Sequence, residues 1–230
     1  DIALTISKSQ LETAATATAY QKNVSTLGGP GHHATQATAS KRPTYQTDGA
    51  LHWLVFDGVD DAMATPSINF SASDEISVFA GVRKLSDAAG GVLCELSASS
   101  GSNNGTIGLL APRGAASATY GYNSKGSLAA AFFDTAASYS SPITNILTAQ
   151  SKIATDTATL SVNGASDGSS AVDQGTGNMG SYPLYIGARN QTSLYLNGNL
   201  YGLTVRGALS DAAEIAEAEA ITAELTGVTL

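Results

Sequence analysis

Between residues 50 and 206, clusters of Gly, Asn, Asp and Ser recur about every ten residues, with no helical pattern between them. Parallel strands need a crossover of about a dozen residues or more, usually a helix, and this stretch has no room for one. The punctuation therefore selects short strands joined by tight turns. In residues 76–82, Ile76, Val78, Ala80 and Val82 alternate with Ser77, Phe79 and Gly81. Residues 92–96, 106–110, 118–122 and 128–133 read as further strands. So do the segments YPLYIG and NGNLYGLTVRG. In TATLSVNGASDG, Ala158, Leu160 and Val162 alternate with Thr and Ser before Asn163-Gly164. Asn-Gly suits the positive φ values that a type I′ hairpin turn requires at both central residues. The expected fold is all-β, a two-sheet antiparallel β-sandwich or jelly roll.

One helix is expected near the C-terminus. Asp211 and Glu214 have the spacing of a capping box, and Gly227 can end the helix. Ile215, Ala218, Thr222 and Leu225 would share one face, and the acidic positions would form a solvated one. Residues 1–27 are Ala/Thr-rich and read as an N-terminal arm or linker. The Gly28–Gly31 break then opens a single domain, 28–230.

Composition narrows the function. Charged residues make up 13% of the 230, against a usual share of about 25%. Ser, Thr, Asn, Gln and Gly must therefore cover the surface, as suits a secreted or assembled particle protein. The net charge is −8 and no Lys/Arg cluster exceeds two residues, so nucleic acid is not an expected partner. No apolar run reaches the roughly 18 residues of a membrane span, so no membrane insertion is expected. The chain begins with Asp1 and reads as a fragment or processed product of something longer. Cys94, the sole cysteine, reads as a small buried apolar residue. His32, His33 and His52 have no zinc-ligand spacing. The P-loop is missing.

The segment LVFDGVDDAMATP packs Asp57, Asp60 and Asp61 into five residues. The simplest reading is a tight turn in which Gly58 takes the strained φ and the carboxylates cap amides. The alternative use is a calcium site, since calcium takes hard oxygen ligands, with Asp57, Asp60 and Asp61 as the metal ligands. No other cofactor is expected.

The stretch around this turn resembles the entry segment of concanavalin A-like, laminin-G-like jelly rolls of phage tail and prophage structural proteins. The matching pieces are His33-Ala34-Thr35-Gln36-Ala37-Thr38, Arg42-Pro43 and Phe56-Asp57-Gly58-Val59-Asp60-Asp61. The second half matches through Leu160-Ser161-Val162-Asn163-Gly164, Leu184-Tyr185-Ile186-Gly187 and residues 196–203. The resemblance covers residues 28–230. It implies a concanavalin A-like sandwich acting as a carbohydrate- or protein-binding module, often without catalysis. It also implies a place on a virion surface (tail fibre, spike or head decoration) or outside the cell. The implied partners are a cell-surface polysaccharide or glycan, other virion proteins, and further copies of the chain as a homo-oligomer. Two alternatives stand beside it. One is a purely structural decoration or oligomerisation domain. The other is a carbohydrate-binding module of a secreted glycan-active enzyme.

Glycosidases of this sandwich fold carry alternating carboxylates on one strand, and no such pattern occurs. Glu95 is the only carboxylate within a strongly apolar strand and has no acidic partner at i+2 or i+4. The chain is therefore not expected to be an enzyme. Sugar recognition needs aromatic faces and planar hydrogen-bonding groups. The candidate ligand-binding residues are Arg113, Tyr120, Tyr122 and Asn123, then Tyr139, and then Arg189, Asn190 and Tyr195. Trp53 lies in an apolar strand and reads as core.

Overall fold

The computed structural model describes the backbone of residues 3–6 and all of residues 32–230. Segment 7–31, most of the expected arm, lies outside the described residues. In chain order the strands are β1 (Ala3–Ile6), β2 (Thr44–Thr47), β3 (His52–Asp57), β4 (Met63–Asn69) and β5 (Glu75–Lys84). Next come β6 (Val92–Leu96), β7 (Thr106–Leu110), β8 (Gly121–Lys125), β9 (Ala130–Asp134) and β10 (Ile143–Lys152). The last are β11 (Thr157–Val162), β12 (Ala165–Ser170), β13 (Ser181–Ile186) and β14 (Asn197–Arg206), followed by helix α1 (Ala212–Thr226).

These strands form the expected two antiparallel sheets. The larger runs β12-β11-β10-β5-β14-β3-β2, with β1 also paired to β14. The smaller runs β4-β13-β6-β7-β8-β9. Residues 3–6 thus add a strand to the sandwich, within the stretch expected to be an arm. The core lies between the sheets and follows strand alternation. Ile76, Val78, Ala80 and Val82 face inward from β5, and Leu147 and Ala149 from β10. They meet Cys94, Leu96, Ile107, Leu109, Tyr122 and Leu184 from the smaller sheet. Cys94 is fully buried, and burial pushes its thiol up to about 12, so it is inert as expected.

Some boundaries differ from the sequence reading. Strands β8 and β9 begin later than residues 118 and 128. The chain ahead of β8 is held as a loop, where Arg113 N–H donates to Thr119 O and Ser117 Oγ bonds Thr119 Oγ1. Strand β10 gave no sequence signal because its polar positions, Thr144, Asn145, Thr148, Gln150 and Ser151, obscure the alternation.

Helix α1 carries the expected capping box. Asp211 accepts from Ala213 and Glu214 N–H, and Glu214 accepts from Asp211 N–H. Gly227 ends the helix at φ 73°. Its buried residues are Glu219, Thr222 and Thr226. Of the expected stripe, Thr222 is buried and Ile215, Ala218 and Leu225 are half-buried, while Glu219 departs from the expected solvated acidic face. The sheet surface beneath is polar, and Glu219 accepts from Thr148 Oγ1 at 2.6 Å. Close approach depends on Gly81, where a Cβ would stand 2.4 Å from Thr226 Cγ2. The helix packs across β5, β10 and β14 and covers the outer face of the larger sheet. No helix among the described residues is long and apolar enough to cross a membrane.

Candidate functional site

With α1 on the larger sheet, the outer face of the smaller sheet is left without a helix. One row of its pairing runs Tyr185, Glu95, Gly108, Asn123, Phe132 from β13 to β9. The centre of this row is roofed by the β6–β7 loop. Ser100 sits over Gly108, where a Cβ would meet Ser100 Oγ and Asn123 Oδ1 at 2.6 Å each. Ser100 N–H donates to Glu95 Oε1 at 2.6 Å, and Asn123 Nδ2 donates to Ser100 O at 3.2 Å. The roof divides the open face into two patches.

The first patch lies at the β13 end and is built around Arg189. Glu95 is fully buried, and Arg189 Nε donates to both its oxygens, at 3.1 and 3.0 Å. A buried carboxylate is tolerated only when paired and hydrogen-bonded, and here Arg189 and Ser100 N–H meet that need. Nε is the only Arg189 side-chain nitrogen that bonds another described residue, so the planar fork at its tip keeps its donors. The Arg189 side chain is 30% exposed. Strand alternation turns Tyr185 outward, between buried Leu184 and Ile186. The β13–β14 loop carries Asn190, Gln191 and Leu194 at positive φ, a costly conformation for non-glycine residues. Tyr195 OH donates to Gln191 O at 3.1 Å, and Gln36 Nε2 donates to Gln191 Oε1 at 2.8 Å. A fixed Arg fork, half-buried tyrosine rings and carboxamides together suit recognition of a hydroxyl-rich ring. Glu95 orients Arg189 and is engaged on both oxygens.

The second patch lies at the β9 end. Arg113 Cζ stands 4.1 Å from the centroid of the Phe132 ring, and its Nε donates to Asp134 Oδ1 at 2.7 Å. Its side chain crosses Gly121, where a Cβ would meet Arg113 Cγ at 2.7 Å.

The structure thus brings Arg189, Asn190 and Tyr195 together and puts Arg113 on the same face but apart from them. The other candidates are corrected. Tyr120 and Tyr122 share a strand face as expected, but it is the inward one. Both are fully buried, and burial raises both phenols far above their ordinary value. Neither ring can meet a ligand. Asn123 is fully buried under Ser100, with its amide used there. Tyr139 packs on Tyr120 at 5.4 Å and donates to Asp167 Oδ2 at 2.5 Å. Burial, then Asp167, pushes its phenol up to about 12, and it serves as a strut. Glu95, Tyr185, Gln36 and Gln191 were missing from the expected ligand set. Only Glu95 had a signal, a lone carboxylate in an apolar strand.

The Asp57 turn is built as the turn reading expects. Asp57 Oδ1 accepts from the N–H groups of Val59, Asp60 and Asp61, and Asp61 Oδ2 accepts from Asp57 N–H. Gly58 has φ 76°, and a Cβ there would meet Asn197 Cβ at 2.8 Å. Burial works against the Asp57 charge, but those amides outweigh it and hold the carboxyl below its usual range. Asp61 is held above it, by burial and then by the charge of Asp57. One oxygen from each of Asp57, Asp60 and Asp61 lies within 4.8 Å of the others.

No protein-family model and no curated protein matches this sequence. Among solved structures, the chain is similar to the binding domain of botulinum neurotoxin serotype G, with a TM-score of 0.60 at 14% identity. That match covers 84% of this chain and 47% of the toxin domain. It is also similar to the Trypanosoma rangeli sialidase in complex with the inhibitor DANA (TM-score 0.55, 14% identity, 79% of this chain and 28% of that one). A third is botulinum neurotoxin type C, whose cell entry is described as dependent on interaction with two ganglioside molecules. Its TM-score is 0.56 at 13% identity, over 79% of this chain and 45% of that one. The chain spans under half the length of each. These likenesses show the β-sandwich fold.

Proposed function

We propose that this chain is a non-catalytic glycan-recognition domain that holds carbohydrate on the open face of its smaller sheet, at the Arg189 patch. The observation that carries this reading is the buried Glu95 under Arg189. It locks the guanidinium in place while leaving the outer donors of the fork for a ligand's oxygens. Tyr185 and Tyr195 supply ring surface, and Gln36, Asn190 and Gln191 supply polar contacts. The sugar-binding proteins that share the sandwich lend support, as does the phage-type entry segment. From that segment we infer a place on a phage or prophage virion surface, facing host-surface polysaccharide.

The test is a glycan-array and host-cell binding screen of the purified chain, with product analysis of every hit. Binding without turnover that falls in Arg189→Lys, which keeps a cation beside buried Glu95 and so keeps the fold, is the expected result. A folded sample that binds nothing would overturn the reading and favour a structural decoration domain. Turnover of the bound glycan would overturn its non-catalytic part.

A further inference from the structure

A second cleft lies on the opposite side of the molecule, between α1 and the β3–β14 end of the larger sheet. It encloses about 250 Å³ and is lined by Leu51, Trp53, Tyr201, Glu224 and Leu225 among others. Trp53 is not in the core as its strand suggested. Leu54 and Phe56 take the inward positions of β3, so alternation turns Trp53 out. Tyr201 sits at a β-bulge, where pairing with β5 slips between Leu200 and Gly202. Bulges re-aim side chains, and this one turns Tyr201 out beside buried Leu200. The Trp53 and Tyr201 rings lie 5.6 Å apart, tilted by 44°, and form an aromatic corner.

The polar groups of the cleft decide what it suits. Glu224 is exposed, and no described residue pairs with its carboxylate. Among the described residues, no Lys or Arg lines the cleft. His52 Nδ1 is bonded to Tyr45 OH at 2.5 Å, and its ring stacks on that tyrosine. Two aromatic rings and one carboxylate favour a cation. A primary ammonium is strongly hydrated and needs several acceptors, which this lining does not offer. A pyranose would need several directional partners. A quaternary ammonium has no N–H to satisfy and presents a weakly hydrated, greasy charge.

We propose that this cleft binds a quaternary ammonium group, such as the trimethylammonium head of choline, with Trp53 and Tyr201 as the aromatic walls and Glu224 as the counter-charge. The site is independent of the Arg189 patch, so failure of either reading leaves the other standing.

Trp53 is the only tryptophan, which makes its fluorescence a site-specific reporter. The full chain would be titrated with choline chloride and, as a neutral isostere, with 3,3-dimethylbutan-1-ol. The expected result is a saturable change with choline and a weaker response to the alcohol. In Glu224→Gln, an exposed and conservative change, choline affinity should fall about threefold to tenfold at an unchanged melting temperature. Equal response to the two probes, unchanged affinity in Glu224→Gln, or no saturable change with choline would each overturn the proposal. Co-sedimentation with phosphatidylcholine vesicles would assign the group to a lipid surface. Choline binding without it would assign a soluble ligand.

Discussion

Arg189 and Glu95 are 94 positions apart in sequence, yet the Nε of one donates to both oxygens of the other across the β13–β6 boundary. The pair joins a loop to the centre of a sheet and leaves one fully buried carboxylate with one matching cation. Replacing Glu95 by Ala removes the anchor and frees the Arg189 loop. The expected cost is about 2–3 kcal/mol in stability, measured by denaturant unfolding, with loss of glycan binding. Arg189→Lys keeps the charge but not the planar fork, so binding should fall while the fold is retained. If Arg189→Lys bound as well as the parent chain, the fork would have no role in recognition.

Asp57 and Asp61 should respond to pH in opposite directions. The Asp57 pKa is depressed on folding. Its contribution is therefore present above the unfolded value of about 4 and is lost as pH falls through the folded one. The Asp61 pKa is raised. Its ionisation opposes folding at neutral pH, and that penalty disappears once the pH is below its unfolded value. Asp61→Asn keeps an acceptor for Asp57 N–H and should raise the melting temperature at pH 7 but not at pH 3. Asp57→Ala should lower stability by about 1 kcal/mol at pH 7, as expected for a lost capping side chain. The turn reading also expects equal melting temperatures in calcium and in chelator. A rise with calcium would turn the three carboxylates into ligands.

Gly81 sets the contact between α1 and the sheet. A methyl group there would meet Thr226 Cγ2 at 2.4 Å and Thr222 Cγ2 at 3.1 Å. Gly81→Ala should cost about 1–3 kcal/mol through overpacking, and Gly81→Val more. Helical circular dichroism and limited proteolysis of the C-terminus would show whether the helix has lifted. A neutral effect would mean that α1 shifts over the sheet without strain.

Lys84 is a charge inside the sandwich. It is fully buried, with Nζ 2.6 Å from Asp87 Oδ1 and 3.0 Å from Ala118 O, and 5.1 Å from the Tyr120 ring centroid. Burial works against the Asp87 charge, yet Lys84 and Ser141 N–H hold its carboxyl below the usual range. Lys84→Met should cost about 2–4 kcal/mol because it leaves Asp87 without its cation. Lys84→Met with Asp87→Asn should cost less than the sum of the single changes, since each single change strands the other group. Strict additivity in unfolding experiments would show that the two charges are not coupled.

Much of this was legible in the strands themselves. Ile76 to Val82 alternate without interruption, and they became the central strand of the larger sheet. Asn163-Gly164 became a hairpin turn with both residues at positive φ, 49° and 79°. Asp211, Glu214 and Gly227 marked both ends of the helix. These are local signals, because turn chemistry, capping and period-two patterning act within a few residues. Tyr120 and Tyr122 show the limit. Their spacing correctly put them on one face, but spacing alone does not say which side of a sheet the other sheet will cover.

What the sequence by itself determined is the class of fold. Its turn spacing excludes crossover helices, and its alternating strands must bury one face against another sheet. The tertiary structure alone decided where a site can lie. Helix α1 occupies one outer face and Ser100 roofs the centre of the other, which leaves Arg189 half-buried at its edge. It also decided that Glu95, 94 positions from Arg189, would be buried as its partner. Such pairings depend on register between strands distant in sequence. Register is set when whole faces pack together, and no short stretch of residues encodes it.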